Sequence, residues 1–272
     1  MKLSVAIVCK NNEKTLPRVL ESVRVVREML AVRGFESEVV AYDSGSTDGT
    51  IGLLEAAGAR VIRGPWLGHI ASKQVVLEAC VGEWRLHLDS DESLEAACAG
   101  SLAAFVCSPG GARGARVNRK VWYLGAWLEH VWQPEWRLRV VRGVDVAAGV
   151  ARWGGINPHD KMELVGEAAA GAVVGHVVDL AGDVRHESFV DIADHLGKQV
   201  SLARISAESL HAAGRRGSRG RLLVSPPGAF LKQLVLRGGW RDGWRGWTAA
   251  ASAGVAAAMK HAILIELSRR EI

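Results

Sequence analysis

The feature that most constrains this chain is the alternation of hydrophobic period along its first hundred residues. "LSVAIVC" is a short apolar run, and "TLPRVLESVRVVREML" after it places apolar residues three and four apart, with Pro17 near its start. The same pair of patterns repeats three times: "SEVVAYD" then "DGTIGLLEAAG", "ARVIRG" then "HIASKQVVLEAC", "EWRLHLD" then "SLEAACAGSLAAFVC". Short apolar runs read as buried strands and the 3.6-period segments as helices; proline is tolerated in a first helical turn, and Gly58 is placed to cap the second helix. A βαβαβαβα order predicts a mostly parallel sheet flanked by helices, since parallel neighbours need a crossover element. In such sheets ligands bind beyond the carboxyl ends of the strands. The clusters Asp43 to Asp48 and Asp89 to Glu92 both fall at strand ends, so they are expected on one edge.

The bulk numbers narrow the class. At 272 residues and 49% hydrophobic content the chain has a substantial core and is not a disordered polymer. A formal charge of +5 suits an acidic partner without choosing among nucleotide, lipid surface and nucleic acid. Cys9, Cys80, Cys98 and Cys107 form no CxxC pair, which reads as free thiols in a reducing compartment. The N-terminal apolar run stops at Lys10, too short for a signal-peptide core, and the most apolar stretch, Thr248 to Leu267, is interrupted by Lys260 and His261.

Two motifs carry chemistry. Asp89-Ser90-Asp91 ends a buried strand. Two carboxylates there repel unless a positive group sits between them. Hard oxygen ligands on a tight turn suit Mg²⁺ or Mn²⁺, with phosphate oxygens completing the shell; the bland alternative is a pair of solvated carboxylates capping the next helix. "YDSGSTDGT" ends the second strand: Asp43 can accept from a ribose or base, Gly45 lets backbone approach closely, and Asp48 or Thr50 can cap the following helix. A plain turn has the same composition. None of the histidines forms an HExxH-type pair.

Beyond Pro109 the chain becomes rich in glycine, arginine and tryptophan. Strands such as "RLRVVR" suggest a β-rich second half, followed by a long helix over residues 188–214. The expected organisation is a domain over 1–213, divided at 108/109 into nucleotide-binding and acceptor halves. A basic flexible connector over 214–225 and a helical tail over 226–272 follow. In the tail, Trp240, Trp244 and Trp247 and Arg237, Arg241 and Arg245 recur at helical spacing. On one helix they form adjacent aromatic and basic stripes, the composition of a bilayer interface. Packing onto the domain or a second subunit is the alternative; nucleic acid is disfavoured, because the arginines lack a known binding module.

The segments "SVAIVCKNNEKTLPRVLESV", "VVAYDSGSTDGT" and "WRLHLDSDES" resemble family 2 glycosyltransferases of the GT-A fold. "WQPEWRLRVVR", "NPHDKM", "RHESFVDIADHLGKQ" and "PPGAFLKQLVLRGGWRDGWRGW" extend the resemblance to the bacterial lipopolysaccharide-core β-1,4-glucosyltransferase-like subgroup, over nearly the whole chain. The resemblance implies a nucleotide-diphosphate sugar donor, UDP-sugar first among them, a divalent metal (Mg²⁺ or Mn²⁺) and inversion at the anomeric carbon. It places Asp91 with Asp89 at the metal, Asp89 also toward the ribose, Asp43 and Ser44 at the nucleoside, and Lys73 facing the diphosphate. Arg137 and Arg139 alternate on a strand and could reach the same phosphates. For the general base an inverting reaction needs, Glu135 and Asp160 are the candidates, with Glu135 preferred; Trp132, Trp136 and His159 are acceptor-side candidates. The chain departs from the family at Ser44 and Asn157, where aspartate is common, and at Gln74, where asparagine is.

The expected function is therefore transfer of a hexose, glucose first, to a lipid-linked or polysaccharide acceptor in envelope glycan assembly on the cytoplasmic face of the inner membrane. A nucleotidyltransferase would show a glycine- and arginine-rich phosphate loop after the first strand, and "VCKNNEKT" has none. A non-catalytic nucleotide- or glycan-binding scaffold of an envelope assembly is the alternative from another class.

Overall fold

The computed structural model describes residues 2–156, 159–165, 176–187, 189–269. In chain order the elements are β1 (Lys2–Cys9), α1 (Leu16–Ala31), β2 (Glu36–Asp43), α2 (Thr50–Ala56), β3 (Arg60–Arg63), α3 (His69–Ala79), β4 (Trp84–Asp89), β5 (Glu92–Leu94), α4 (Ala96–Cys107), β6 (Gly114–Tyr123), β7 (Ala126–Trp127), β8 (Trp136–Arg142), α5 (Gly143–Ala147), β9 (Ala151–Ile156), β10 (His159–Leu164), β11 (Val177–His186), α6 (Ile192–Ala212), α7 (Arg219–Leu231) and α8 (Gly243–Arg269). They form two compact units. The first comprises residues 1–119, 136–155 and 160–186; the second, 120–135, 156–159 and 187–272.

The first unit is the expected α/β layer. Its sheet runs β3-β2-β1-β4-β8-β6-β11-β5. β1 pairs in parallel with β2 and with β4, and β2 with β3, so the anticipated parallel half is present. Beyond β4 the sheet becomes mixed: β8 is antiparallel to β4 and to β6, and β5 to β11. Cys9 is level with Asp43 and Val8 with Asp89, which puts both acidic clusters at one edge. β5 follows β4 after only Ser90 and Asp91, yet stands four places away in the strand order. Strand twist accumulated across the sheet curls it until these ends meet.

Sequence periodicity explains the packing. α1 buries Leu16, Val19, Val23, Val26 and Leu30, one stripe at three- and four-residue spacing, onto a core with Leu3, Val5, Ile7, Leu86 and Leu88. Each such fully buried side chain contributes about 1.5–3 kcal/mol by leaving water. Gly58 does end α2 in the left-handed region (φ 70°). Gly182 is required for packing: a Cβ there would meet the Cys98 backbone nitrogen at 2.4 Å, so its absence lets β11 lie against α4. Cys9, Cys80 and Cys98 are buried free thiols, each pushed up to about 12 mainly by burial, and are not nucleophiles at neutral pH.

In the second unit β7 and the end of β6 form a short hairpin, Trp122 opposite Trp127 and Tyr123 opposite Ala126. α8 buries Ala249, Ala250, Ser252, His261 and Leu264. α7 begins at Arg219, inside the segment read from sequence as connector. The continuous helix expected around residues 237–247 is not formed. A π turn (Lys232–Leu236) and a 3-10 turn (Gly239–Asp242) precede α8, because Gly238 and Gly243 take positive φ (73° and 61°), which interrupts a helix. Asp242 pins this turn. Its carboxylate accepts from the Glu129, His130 and Val131 amides at 3.1, 3.0 and 2.9 Å and meets the His130 ring at 2.8 Å.

His195 sits in an aromatic cluster of this unit with Tyr123, Trp132 and Phe189, its Nδ1 2.7 Å from the Tyr123 hydroxyl. Burial lowers its pKa, with Asp194 opposing. A histidine depressed in the folded state contributes stability that is complete above the unfolded value, about 6.5, and is lost as pH falls below it. The melting temperature is expected to drop between pH 7.5 and 5.5, and His195→Phe to flatten that drop. An unchanged pH profile in the variant would remove His195 from the explanation.

Candidate active site

Asp91 stands at the tip of the two-residue β4–β5 turn, its side chain 26% exposed. Antiparallel pairing of β11 with β5 sets His186 opposite Glu92 and brings the His186 Nε2 to 3.5 Å from the Asp91 carboxylate. The Arg18 guanidinium reaches back to the Asp91 carbonyl at 3.4 Å and to the Ser93 hydroxyl at 3.0 Å.

Asp89 is differently placed. One oxygen meets the Lys73 Nζ at 2.7 Å and the other the Arg139 guanidinium at 2.9 Å. Burial opposes its ionisation, but Lys73 and Arg139 outweigh burial and hold the carboxyl well below the usual carboxylate range. The charge that lets Asp89 persist next to Asp91 is thus supplied by the protein. Both Asp89 oxygens are paired with cations of the protein.

Two further residues lock this arrangement. Glu92 is fully buried; its carboxylate accepts from the Asp89 amide at 3.0 Å and from Arg139 at 2.6 Å. One guanidinium nitrogen of Arg139 therefore bridges two carboxylates, Asp89 and Glu92. Below lies His87, fully buried, held neutral by burial and by the Lys73 charge. Trp153 closes the floor, with Lys73 4.6 Å and Arg139 5.5 Å from its ring centre and its edge on His87.

Lys73 also binds Asp160 at 2.7 Å, so α3 joins the end of β4 to β10 through one ammonium. Asp160 is thereby brought into the cluster. The antiparallel register of β8 against β4, Trp84 opposite Arg142 and Leu86 opposite Val140, brings the start of β8 out where β4 ends. Arg139 uses that placement to reach Asp89. Arg137 is two residues nearer the edge, opposite Val117 on β6, and Trp136 is 40% exposed with Arg116 6.0 Å from its ring. Glu135 and Trp132 belong to the second unit, where Trp132 packs on Tyr123 and Phe189. His159 starts β10, but its side chain lies outside the described residues, as does Asn157.

The neighbouring loop is held by its own polar groups. Asp43, buried at the end of β2, accepts from the Gly45 and Ser46 amides at 3.1 and 3.0 Å and from the Ser46 hydroxyl. Ser44 is buried, its amide donating to the Cys9 carbonyl at 3.0 Å. Asn11, Asn12 and Glu13 tie the β1–α1 loop to this one: the Asn11 side chain accepts from the Thr47 amide at 2.8 Å, the Asn12 amide donates to Thr50 at 2.7 Å, and Glu13 accepts from the Gly49 amide at 2.7 Å. The sequence signal for this zipper was "KNNE" directly after a strand.

Among the described residues no cluster of three or more histidine, cysteine or acidic side chains is placed to hold a metal by itself. The Asp91 carboxylate is the hard oxygen donor that Mg²⁺ or Mn²⁺ takes, with phosphate and water completing the shell; the His186 imidazole beside it is a softer donor and suits Mn²⁺ rather than Mg²⁺.

A helix-flanked, curled mixed sheet with these loops at the parallel strand ends is the GT-A glycosyltransferase fold. Residues 4–135 match the family model "Glycosyl transferase family 2", the family its motifs resemble. It is 28% identical over 265 residues to the lipopolysaccharide core biosynthesis glycosyltransferase LpsC of Rhizobium meliloti, covering 94% of this chain and 88% of that one. An uncharacterized glycosyltransferase of Rickettsia conorii is 39% identical over 93 residues, 34% of this chain and 30% of its own length. Among solved structures, S. aureus TarS 1-349 in complex with UDP-GlcNAc superposes with a TM-score of 0.52 at 16% identity, over 100% of this chain and 92% of that one. The Pyrobaculum calidifontis mannosyltransferase PcManGT in complex with GDP-Man and Mn²⁺ gives 0.52 at 15% identity, over 96% and 86%.

Proposed function

We propose that this protein is a metal-dependent, inverting hexosyltransferase that uses a nucleotide-diphosphate sugar. Its acceptor is a lipid-linked glycan of the lipopolysaccharide core type, met at the inner face of the cytoplasmic membrane. The observation that carries this reading is Asp91 at an open turn beside His186, on the same sheet edge as the 43–50 loop. The similarity to LpsC along most of both chains supports the choice of acceptor, and glucose from UDP-glucose is the donor to test first.

In this reading Asp91 and His186 hold the divalent cation, which would supply positive charge against the departing diphosphate. Lys73 lies where it can turn from its carboxylates to phosphate oxygens, and Arg137 at the start of β8 is the second cation for them. Asp43 and Ser44 act through the loop they shape, offering its backbone to the nucleoside. The acceptor hydroxyl needs a base on the face opposite the leaving group. Asp160 is engaged by the Lys73 ammonium at 2.7 Å. By the family resemblance Glu135, which precedes β8 in the chain, is the candidate for that role, and the exposed Trp136 is the candidate sugar-stacking surface.

The test is turnover. Nucleotide-sugar panels should show Mn²⁺- or Mg²⁺-stimulated release of one nucleoside diphosphate, and transfer to core oligosaccharide should give the β-anomer from an α-linked donor. Retention of the α configuration, or equal turnover in chelator, would refute this mechanism.

A further inference from the structure

We infer that the turn from Phe230 to Trp247 is a docking face for an anionic phospholipid bilayer, lying on the membrane rather than crossing it. The inference rests on the proposed function only in that a lipid-linked acceptor would be met at such a surface; the binding itself needs neither donor nor acceptor.

Six large apolar side chains of this turn face solvent: Leu231 is 52% exposed, Val235 57%, Leu236 80%, Trp240 55%, Trp244 53% and Trp247 52%. Trp244 and Trp247, three residues apart in the first turn of α8, lie on one helix face, and the Phe230 and Trp247 rings meet at 6.1 Å, so the end of α7 comes back onto the start of α8. A patch of this kind on a folded protein marks an interaction site. Its polar partners are cations. The Arg241 guanidinium lies 5.1 Å from the Trp240 ring centre and that of Arg245 4.6 Å from Trp244. Between Arg215 and Arg245 the chain has eight arginines and lysines and one acid, Asp242. That acid is 2% exposed and turned inward onto the 129–131 amides, so this stretch presents no carboxylate to solvent. Indole rings at headgroup depth with cations beside them match the apolar boundary and negative charge of an anionic leaflet.

The face is also held rigidly. Arg237 donates to the Gln133 carbonyl at 2.8 Å and Arg245 to the Leu124 carbonyl at 2.8 Å. The segment ending in α8, Gly239–Arg269, is long and apolar enough to span a bilayer by length and composition, and 39% of its apolar stretch is buried. α8 buries Ser252 and His261 in this unit, and the Ser268 hydroxyl accepts from the Gly217 amide at 2.9 Å, so one face of that helix packs on protein.

The experiment is co-sedimentation of the full chain with vesicles of phosphatidylethanolamine plus phosphatidylglycerol and with pure phosphatidylcholine, at low and high salt. Binding should be at least about tenfold tighter to the anionic vesicles and be released by high salt. Trp240→Ser with Trp244→Ser, and separately Lys232→Glu with Arg241→Glu, should each weaken it about tenfold. Melting temperature and nucleotide response should stay at the wild-type level. No binding by folded protein, or variants that bind like the wild type, would overturn the inference. So would retention through high salt and alkaline carbonate, the mark of a spanning helix. A dimer in sedimentation velocity that the tryptophan variant dissociates, without vesicle binding, would assign the face to a second copy and equally overturn it. Loss of vesicle binding with intact turnover rejects only this inference; vesicle binding without turnover on any donor rejects only the proposed function.

Discussion

Replacing Asp91 with alanine is expected to leave the fold intact and abolish sugar transfer. The side chain stands at the tip of a turn and is partly exposed, while the turn is held from elsewhere: Glu92 on the Asp89 amide and Arg18 on the Asp91 carbonyl. The melting temperature should therefore stay close to the wild-type value. Turnover should fall by at least about 10²-fold, the scale of removing one preorganised electrostatic stabiliser, and Mn²⁺ should no longer stimulate the remainder. His186→Ala should move in the same direction by a smaller factor, since imidazole is the second donor of the pair. Full activity in Asp91→Ala would contradict the catalytic reading and favour a scaffold.

Arg139→Leu should do the opposite, acting first on stability. The guanidinium is 4% exposed and neutralises two carboxylates, Asp89 and Glu92, the latter 1% exposed. Removing it takes one cation from each of these two carboxylates, which keep Lys73 and Arg119 respectively, at a cost of about 3 kcal/mol. For a chain of this size that lowers the melting temperature by roughly 6–12 °C. The matched control is Arg116→Leu. Its pair with Asp179 is 46% and 41% exposed, and exposed pairs contribute about 0–1 kcal/mol. Equal destabilisation by the two substitutions, measured by denaturant titration, would show that the cluster under the turn does not carry the stability assigned to it.

Much of this architecture was legible in the residues, for reasons that also explain what was not. The first four strand–helix pairs announce themselves because buried strands are continuous apolar runs and their crossover helices carry a one-sided stripe. The shared edge of Asp43 and Asp89 follows from parallel pairing alone. β5 was absorbed into the following helix, because three residues, Glu-Ser-Leu, are too few to show a period; only their pairing with β11, more than eighty residues later, makes them a strand. The same long-range pairing hides the site's supports. Arg139 was visible as one of two alternating arginines, but which one turns inward depends on the register of β8. Lys73 could be matched to the diphosphate by resemblance, whereas its bridge from Asp89 to Asp160 required α3 and β10 to meet. The tail misled in a different way: the tryptophan and arginine spacing is helical, but positive φ at Gly238 and Gly243 breaks that helix into three pieces.

The central claim is that Asp91 and its loop neighbours bind a nucleoside diphosphate together with a divalent cation. The most direct measurement is the melting temperature of the wild-type chain with each nucleoside diphosphate, with and without Mn²⁺, since a ligand of the native state stabilises it in proportion to the logarithm of its saturation. The account predicts a shift that one nucleotide, UDP first among them, produces only when Mn²⁺ is present and that Asp91→Ala removes. Folded protein that responds to none of them, or responds equally without metal, would contradict it.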